Sequence, residues 1–277
     1  MPAVDALFVG NAIMDVFGSC DDTFLTTHEI EKGSMTLVDE ARALSLYNAM
    51  SGAQEQSGGS AANSAFGFAM LGGSAAFSGK LADDEVGNSF VANLRSGNVQ
   101  FTGTIAADGP ASARSMIFVT PDAQRSMNTY LGASLTMTDA SIQDDITAKF
   151  IYLEGYLFDA PDGPAIFAKA AQLALETRAA LSLTLSDSWC VERHKDALSA
   201  FIRDHVSILF SNQDEIQALL GTDDDDTIAS FAREIDELIV TKGATGADIW
   251  RRGEKTSVNA SLQGPVIDTT GAGDLFA

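Results

Sequence analysis

The sequence predicts an α/β fold with a largely parallel sheet flanked by helices, and a small β subdomain over one edge of it. Short apolar runs recur along the chain, helix-length stretches with apolar residues at helical spacing separate most of them, and two turn-rich stretches break the rhythm. A short unbroken apolar run suits a strand buried on both faces. Strand alternating with helix makes neighbouring strands parallel, because each helix carries the chain back to the end of the sheet where the last strand began.

In chain order, the first apolar run covers residues 6–9. Residues 15–39 then bring turn and β-prone residues in place of a helical period. A helix is expected over 60–71, where Phe66 and Met70 lie one turn apart, and a strand over 75–77. The second excursion, 99–135, contains a hairpin, with 114–120 and 125–131 joined by Pro121-Asp122-Ala123-Gln124. Strands follow at 150–153, 181–185, 207–210 and 238–240, with a helix over 164–178 marked by Ile166, Ala170 and Leu173. Residues 223–226 read as a solvated loop opening a helix, since the glycine and distal glutamate of an EF-hand are missing. A hairpin-like stretch, 247–260, follows the last of these strands. The expected division is an α/β core of 1–14, 40–98 and 136–277, with a β lid of 15–39 and 99–135. Units joined in this way commonly enclose a ligand.

Composition narrows the function. The 277 residues carry 17 lysines and arginines against 38 aspartates and glutamates, a net charge of −21. That balance argues against nucleic acid and anionic membranes as partners, both of which ask for a basic footprint. No apolar run of about eighteen residues is present and the N-terminal residues do not have the order of a signal peptide, so a cytoplasmic protein is expected. Cys20 and Cys190 lie far apart in no metal-like spacing and are expected to be reduced, and His28, His194 and His205 sit in polar stretches without a recurrent partner.

Chemistry concentrates in a few segments. The most informative is Asp268-Thr269-Thr270-Gly271-Ala272-Gly273-Asp274, where a β-prone pair runs into glycines and the start of a helix. Glycines there let backbone N–H groups converge on an oxyanion. An aspartate at the rim repels a phosphate that is merely bound, but suits a base that takes a proton from an attacking hydroxyl. An ordinary helix cap is the competing reading of these residues. Gly58-Gly59-Ser60 with Asn63 allows close backbone approach and offers an amide to a vicinal diol, or is a loop capped by Ser60. Asn11 and Asp15 follow the first strand, at the end where ligands gather in open α/β sheets. Asn212 and Glu215 share one helical face and could hold Mg²⁺ or its waters, or begin a surface helix. Thr241, Lys242, Gly243 and Gly246 could wrap a nucleotide or form a tight turn. A Walker A loop is excluded at 73–81 by the glycine spacing and by Leu81 after Lys80, and the dinucleotide fingerprint by Phe276 in place of its third glycine.

Taken together, Asn11 to Asp15, Gly58-Gly59-Ser60 to Asn63, Asn212 to Glu215 and the terminal Asp268 to Asp274 motif resemble the ribokinase-like (phosphofructokinase-B) family of sugar and nucleoside kinases over nearly the whole chain. The long β excursion, Lys32-Gly33-Ser34-Met35 and the Arg125-Ser126-Met127-Asn128 segment look closest to the adenosine kinases within it. The resemblance implies a doubly wound core with a β lid, and transfer of the ATP γ-phosphoryl group to a primary hydroxyl with Mg²⁺, and in some relatives K⁺. It implies Asp274 as general base, with Gly271, Ala272 and Gly273 forming the anion hole and Arg125 reaching from the lid toward the phosphoryl group. Asn11, Asp15, Gly58, Gly59, Ser60 and Asn63 would meet the acceptor, whose base would pack on Met35, Tyr156 and Leu157. Asn212, Thr241, Lys242, Gly243, Gly246, Asp268 and Thr269 would serve the nucleotide, and Asn212 with Glu215 would order Mg²⁺ through water.

Family members continue past the terminal motif with further helices, so the sequence is expected to be a few helices short of a family member. The expected activity is phosphorylation of a nucleoside, adenosine first. A kinase for a free sugar such as ribose or fructose, and a nucleoside-binding protein without turnover, are the alternatives. The expected partners are the acceptor and ATP, with the protein a monomer or homodimer.

Overall fold

A computed structural model describes residues 3–261, 264 and 271–277. Among the described residues a nine-stranded sheet runs in the spatial order Glu254–Val258, Ala247–Arg251, Glu237–Thr241, Ile208–Asn212, Ala180–Thr184, Thr147–Glu154, Ala3–Val9, Ala75–Ser78, Val99–Phe101. The pairings are parallel except at the two that build the terminal hairpin, Glu237–Thr241 with Ala247–Arg251 and the latter with Glu254–Val258. Each apolar run of the sequence is one of these strands. Strand order reverses direction about Ala3–Val9, whose neighbours are Ala75–Ser78 on one side and Thr147–Glu154 on the other. This is the doubly wound arrangement.

Period-two alternation sends the strands' side chains into separate cores on the two faces. Leu7, Val9, Ile151 and Leu153 join Ile166, Phe167, Ala170 and Leu173 of the helix Gly163–Thr177, while Ala6, Phe8 and Tyr152 join Ala61, Ala62 and Ala65 of the helix Ser60–Met70. Burying such an Ile, Leu or Phe fully is worth about 2 kcal/mol, which is what holds these helices to the sheet, since helices of their length are marginal in isolation even when rich in alanine.

A five-stranded sheet, in the order Met35–Leu37, Arg125–Tyr130, Ala113–Val119, Ile13–Ser19, Gln54–Gly58, forms the lid. The hairpin closes as expected, with Arg125 opposite Val119 and Tyr130 opposite Arg114. Three details differ from the expectation. Gln54–Gly58, placed in the core by sequence, is a lid edge strand paired with Ile13–Ser19. Val99–Phe101, placed in the lid, is the edge of the large sheet. Residues 22–27 form a short helix capped by Asp21, whose carboxylate accepts from Phe24 N. Polar strands and six-residue helices bury too little to leave an apolar period, so packing partners decide them. Met116 and Phe118 on one lid face pack on Leu25, Ala43 and Leu46 of the helices Asp22–Thr27 and Glu40–Ala49. The other face is left for the cleft.

Candidate functional site

The strands Ala3–Val9, Thr147–Glu154, Ala180–Thr184, Ile208–Asn212 and Glu237–Thr241 deliver Asn11, Glu154, Thr184, Asn212 and Thr241 from their carboxyl ends to the wall of one cleft of about 780 Å³. This is the crevice at which open α/β sheets take their ligands. The lid supplies the opposite wall. Ile13, Asp15, Ser115, Ile117, Met127 and Thr129 share one face of their strands by parity, and all line the cleft with Met35 and Leu37.

The polar floor is built on Glu154, which sequence reasoning missed. It is 1% exposed. Its Oε1 accepts from Asn11 N and Asn11 Nδ2, both at 2.7 Å, and its Oε2 accepts from Ala61 N at 2.9 Å. A glutamate ending an apolar strand run at the carboxyl edge of the sheet is the signal that could have found it. Gly59 is required by contact, and Gly58 makes room for the Asp15 carboxylate as it stands. A Cβ on Gly58 would meet Asp15 Oδ2 at 2.2 Å, and one on Gly59, which has φ +89°, would meet Asn11 O at 2.3 Å. The helix that follows is thus capped by Gly59, with Ser60 as its first residue rather than its cap.

Asp274 stands in the first turn of the short helix Ala272–Phe276. Its Oδ2 accepts from Asn63 Nδ2 at 2.9 Å, and its backbone carbonyl accepts from Ser64 Oγ at 2.8 Å. Asn63, expected at an acceptor's hydroxyls, therefore holds the carboxylate expected to be the base. Burial raises the Asp274 pKa above the usual carboxylate range, against hydrogen bonds from Asn63 and Ser60 that pull it down. Asn212 and Glu215 form a capping box on the helix Gln213–Leu220: Asn212 Oδ1 accepts from Glu215 N at 2.9 Å and Glu215 Oε2 accepts from Asn212 N at 2.9 Å. Asn212 is the cap of that helix rather than a residue within it, and its Nδ2 also donates to Glu215 Oε1 at 2.6 Å, so the two side chains stand together on one side as expected. Both still face the cleft.

Other expected residues stand elsewhere. Leu157 is fully buried in the core behind the sheet and lies off the cleft wall, whereas its neighbour Tyr156 is on it. Lys242, Gly243 and Gly246 form a tight turn, with Lys242 N donating to Gly246 O at 2.8 Å and Lys242 Nζ paired to Asp248 at 3.1 Å. None of them lines the cleft; Thr241 just before them does. The guanidinium of Arg125 lies over the Phe17 ring, 5.8 Å from its centroid, and its charge opposes only in part the burial and the Asp274 charge that raise the Asp15 carboxyl. Gly273 is on the wall and Gly271, with φ +68°, caps the last helix beside Ala272. Asp268 and Thr269 lie outside the described residues. Trp189, 65% exposed on the wall, and Phe210 were not foreseen, since neither carries a local motif.

Burial pushes Asp15, Glu154 and Glu215 up to about 7 each, with the Asp274 charge adding to all of them. A carboxyl whose folded pKa is raised keeps in the fold a proton that the unfolded chain has released, so folding becomes less favourable as pH rises from about 4 to about 7. The protein without ligand is therefore expected to melt several degrees lower at about pH 8 than at about pH 5.5, and Asp15→Asn to shrink the difference. Asp5, Asp84 and Asp122, whose pKa values are lowered, act only below that window. A melting temperature that climbs between those two conditions would contradict the assignment.

The pfkB family carbohydrate kinase model matches residues 35–277. Fructokinase-1 of Oryza sativa subsp. japonica is 31% identical over an alignment of 230 residues that covers 79% of this chain and 71% of that protein. Among solved structures, the adenosine kinase from Sinorhizobium meliloti is 42% identical with a TM-score of 0.88, covering 99% of this chain and 85% of that one. A probable sugar kinase from Rhizobium etli is also 42% identical, with a TM-score of 0.89 over 99% of this chain and 84% of that one. With strands, cleft and family model in agreement, the chain belongs to the pfkB family carbohydrate kinases and is an ATP-dependent kinase of ribokinase-like fold.

Proposed function

We propose that this kinase transfers the γ-phosphoryl group of ATP to the 5′-hydroxyl of a nucleoside, adenosine above all. The observation that carries this reading is the apolar lid wall of Ile13, Met35, Leu37, Ile117 and Met127 facing the hydrogen-bonding floor of Asn11, Asp15 and Asn63. Met35 is 41% and Leu37 59% exposed, side chains that gain from a flat apolar partner. A purine offers such a face across its whole ring, and a free sugar, with hydroxyls rimming its small C–H patches, offers far less. The cleft also collects the carboxylates of Asp15, Glu154, Asp159, Asp187, Glu215 and Asp274, against an Arg193 already paired to Asp159 at 2.7 Å. Among the described residues of this wall an acceptor's own phosphate or carboxylate would find no cation that is not already paired, whereas the phosphates of ATP arrive with Mg²⁺. The adenosine kinase from Sinorhizobium meliloti supports the same reading.

In this reading Asp274, its basicity raised by burial, takes the proton of the attacking hydroxyl. Backbone N–H groups of Gly271, Ala272 and Gly273 face the phosphoryl group, and Arg125 approaches from the lid. Asp15, Asn11 and Gly59 hold the ribose hydroxyls, with the base against Met35 and Tyr156. Thr241 and Asn212 meet the nucleotide. Among the described residues no group of three or more His, Cys, Asp or Glu could hold a metal directly. Mg²⁺ keeps most of its waters and binds through phosphates, so a carboxylate that meets it through water suffices. Each Glu215 oxygen accepts a bond from Asn212 and retains a lone pair for such a water. Bound there, Mg²⁺ would neutralise charge on the phosphates.

A panel of adenosine, fructose and ribose with Mg·ATP tests this. Adenosine is expected to raise the melting temperature and to exceed either sugar in kcat/KM by about a hundredfold or more, the scale of about 3 kcal/mol from one well-buried flat group. The rice fructokinase similarity favours a second reading, a sugar kinase. Preference for fructose would establish it and remove the first.

A further inference from the structure

The chain passes between core and lid through Gly10, Asn11 and Ala12 after Ala3–Val9, through Gly59 after Gln54–Gly58, through Ala111 and Ser112 ahead of Ala113–Val119, and through Leu131 after Arg125–Tyr130. These crossings meet at the 3-10 turn Gly132–Thr136. Ser134, fully buried in that turn, accepts a hydrogen bond from Ala12 N at 3.1 Å and donates one to Asn11 Oδ1 at 3.0 Å. Next to it, Ala133 N donates to Ala111 O at 2.8 Å. Asn11 passes the connection on to Glu154, and Glu154 to Ala61 N in the helix that follows Gly59. The last lid strand thus ends in a turn that grips each of the other crossings directly or through the two-residue relay of Asn11 and Glu154.

Donor and acceptor directions in this chain are set from both ends. Ala12 N–H and Ala61 N–H can only donate, so Ser134 receives the first and Glu154 the second. The single hydroxyl proton of Ser134 then goes to Asn11 Oδ1, and the Asn11 amide can turn only one way, with Nδ2 toward the glutamate. A flipped amide would set its oxygen against that carboxylate. One Nδ2 proton and one Oδ1 lone pair stay open on a residue that lines the cleft.

We propose that Ser134 is a positioning residue, which couples the pose of the lid to the orientation of Asn11 and so to affinity for the acceptor. The inference rests on the reading of this cleft as the acceptor site. It assigns a function to a serine that touches no substrate and that no motif marks.

Steady-state kinetics of the full chain with adenosine and Mg·ATP test it. Ser134→Ala is expected to raise the KM for adenosine about tenfold, the worth of one buried hydrogen bond, while the KM for ATP changes less than twofold or so and the protein melts within a few degrees of the parent. Ser134→Thr, which keeps the hydroxyl, should recover most of the loss. A folded Ser134→Ala protein with the parental adenosine KM, or with equal rises in both KM values, overturns the proposal. Where the threonine does not fold, Asn11→Ala alone and combined with Ser134→Ala decides the matter. Equal adenosine KM values in these two proteins support the relay, and additive rises sink it. If Asn11→Ala itself leaves the adenosine KM unchanged, the acceptor-site reading falls as well, whereas a silent Ser134→Ala beside a damaging Asn11→Ala removes the relay alone.

Discussion

Asp274→Asn is expected to lower kcat by about a thousandfold, the usual scale for loss of a positioned base, while adenosine affinity stays within a few-fold. The substitution is close to isosteric. Asn63 Nδ2, now 2.9 Å from Asp274 Oδ2, can still donate to the amide oxygen, and Ser64 Oγ still reaches the backbone carbonyl at 2.8 Å. What disappears is the lone pair of a carboxylate that burial has made more basic than usual. Because base catalysis acts on the transition state, the loss falls on kcat and not on binding. Single-turnover mixing of enzyme, Mg·ATP and adenosine, with adenosine binding followed separately, measures both. Turnover within about tenfold of the parent would take the role of base away from Asp274.

Glu154→Ala is expected to cost about 3 kcal/mol or more in denaturant unfolding, because Asn11 N, Asn11 Nδ2 and Ala61 N lose the one buried carboxylate that accepts from all three. Against a total stability of about 5–15 kcal/mol this is a large fraction. Glu154→Gln keeps one carbonyl oxygen and is expected to cost less than half as much. Both should also weaken adenosine binding, since the Asn11 amide loses the partner that orients it. An alanine variant as stable as the parent would show that the polar floor is held by something other than this carboxylate.

The core was readable from the chain because its strands are buried on both faces. Runs such as 6–9 and 150–153 have no alternating polar residue and so point to strands covered on both faces, although Phe150 at the start of its run stays 39% exposed, and the helix Gly163–Thr177 shows its apolar stripe in the sequence. The hairpin around residues 121–124 was equally plain, since turn chemistry is local. The lid's other edges were not. Gln54–Gly58 is polar along most of its length and becomes a strand only because Ile13–Ser19 offers it a ladder.

The site divides along the same line. Asn11, Asp15, Gly59, Asn63, Asn212, Thr241 and Asp274 could be marked in advance, since each follows a strand or a glycine turn, and the fold brings them to one cleft. Leu157 and Tyr156 are neighbours in sequence, yet one lies in the core and the other on the wall, a choice made by the 3-10 turn Gly155–Asp159. Lys242 carries the charge expected at a phosphate, but Asp248 across the hairpin takes it. Glu154 and Ser134 are invisible to motif reasoning, because their meaning lies in bonds to Asn11 that span 143 and 123 residues. Sequence by itself determined the apolar strands of the core, the glycine turns and the family, all of which depend on neighbours in the chain. Which polar groups face the cleft, and which are spent on one another, only the tertiary structure decided, because a buried donor or acceptor is satisfied by whatever the packing brings within about 3 Å.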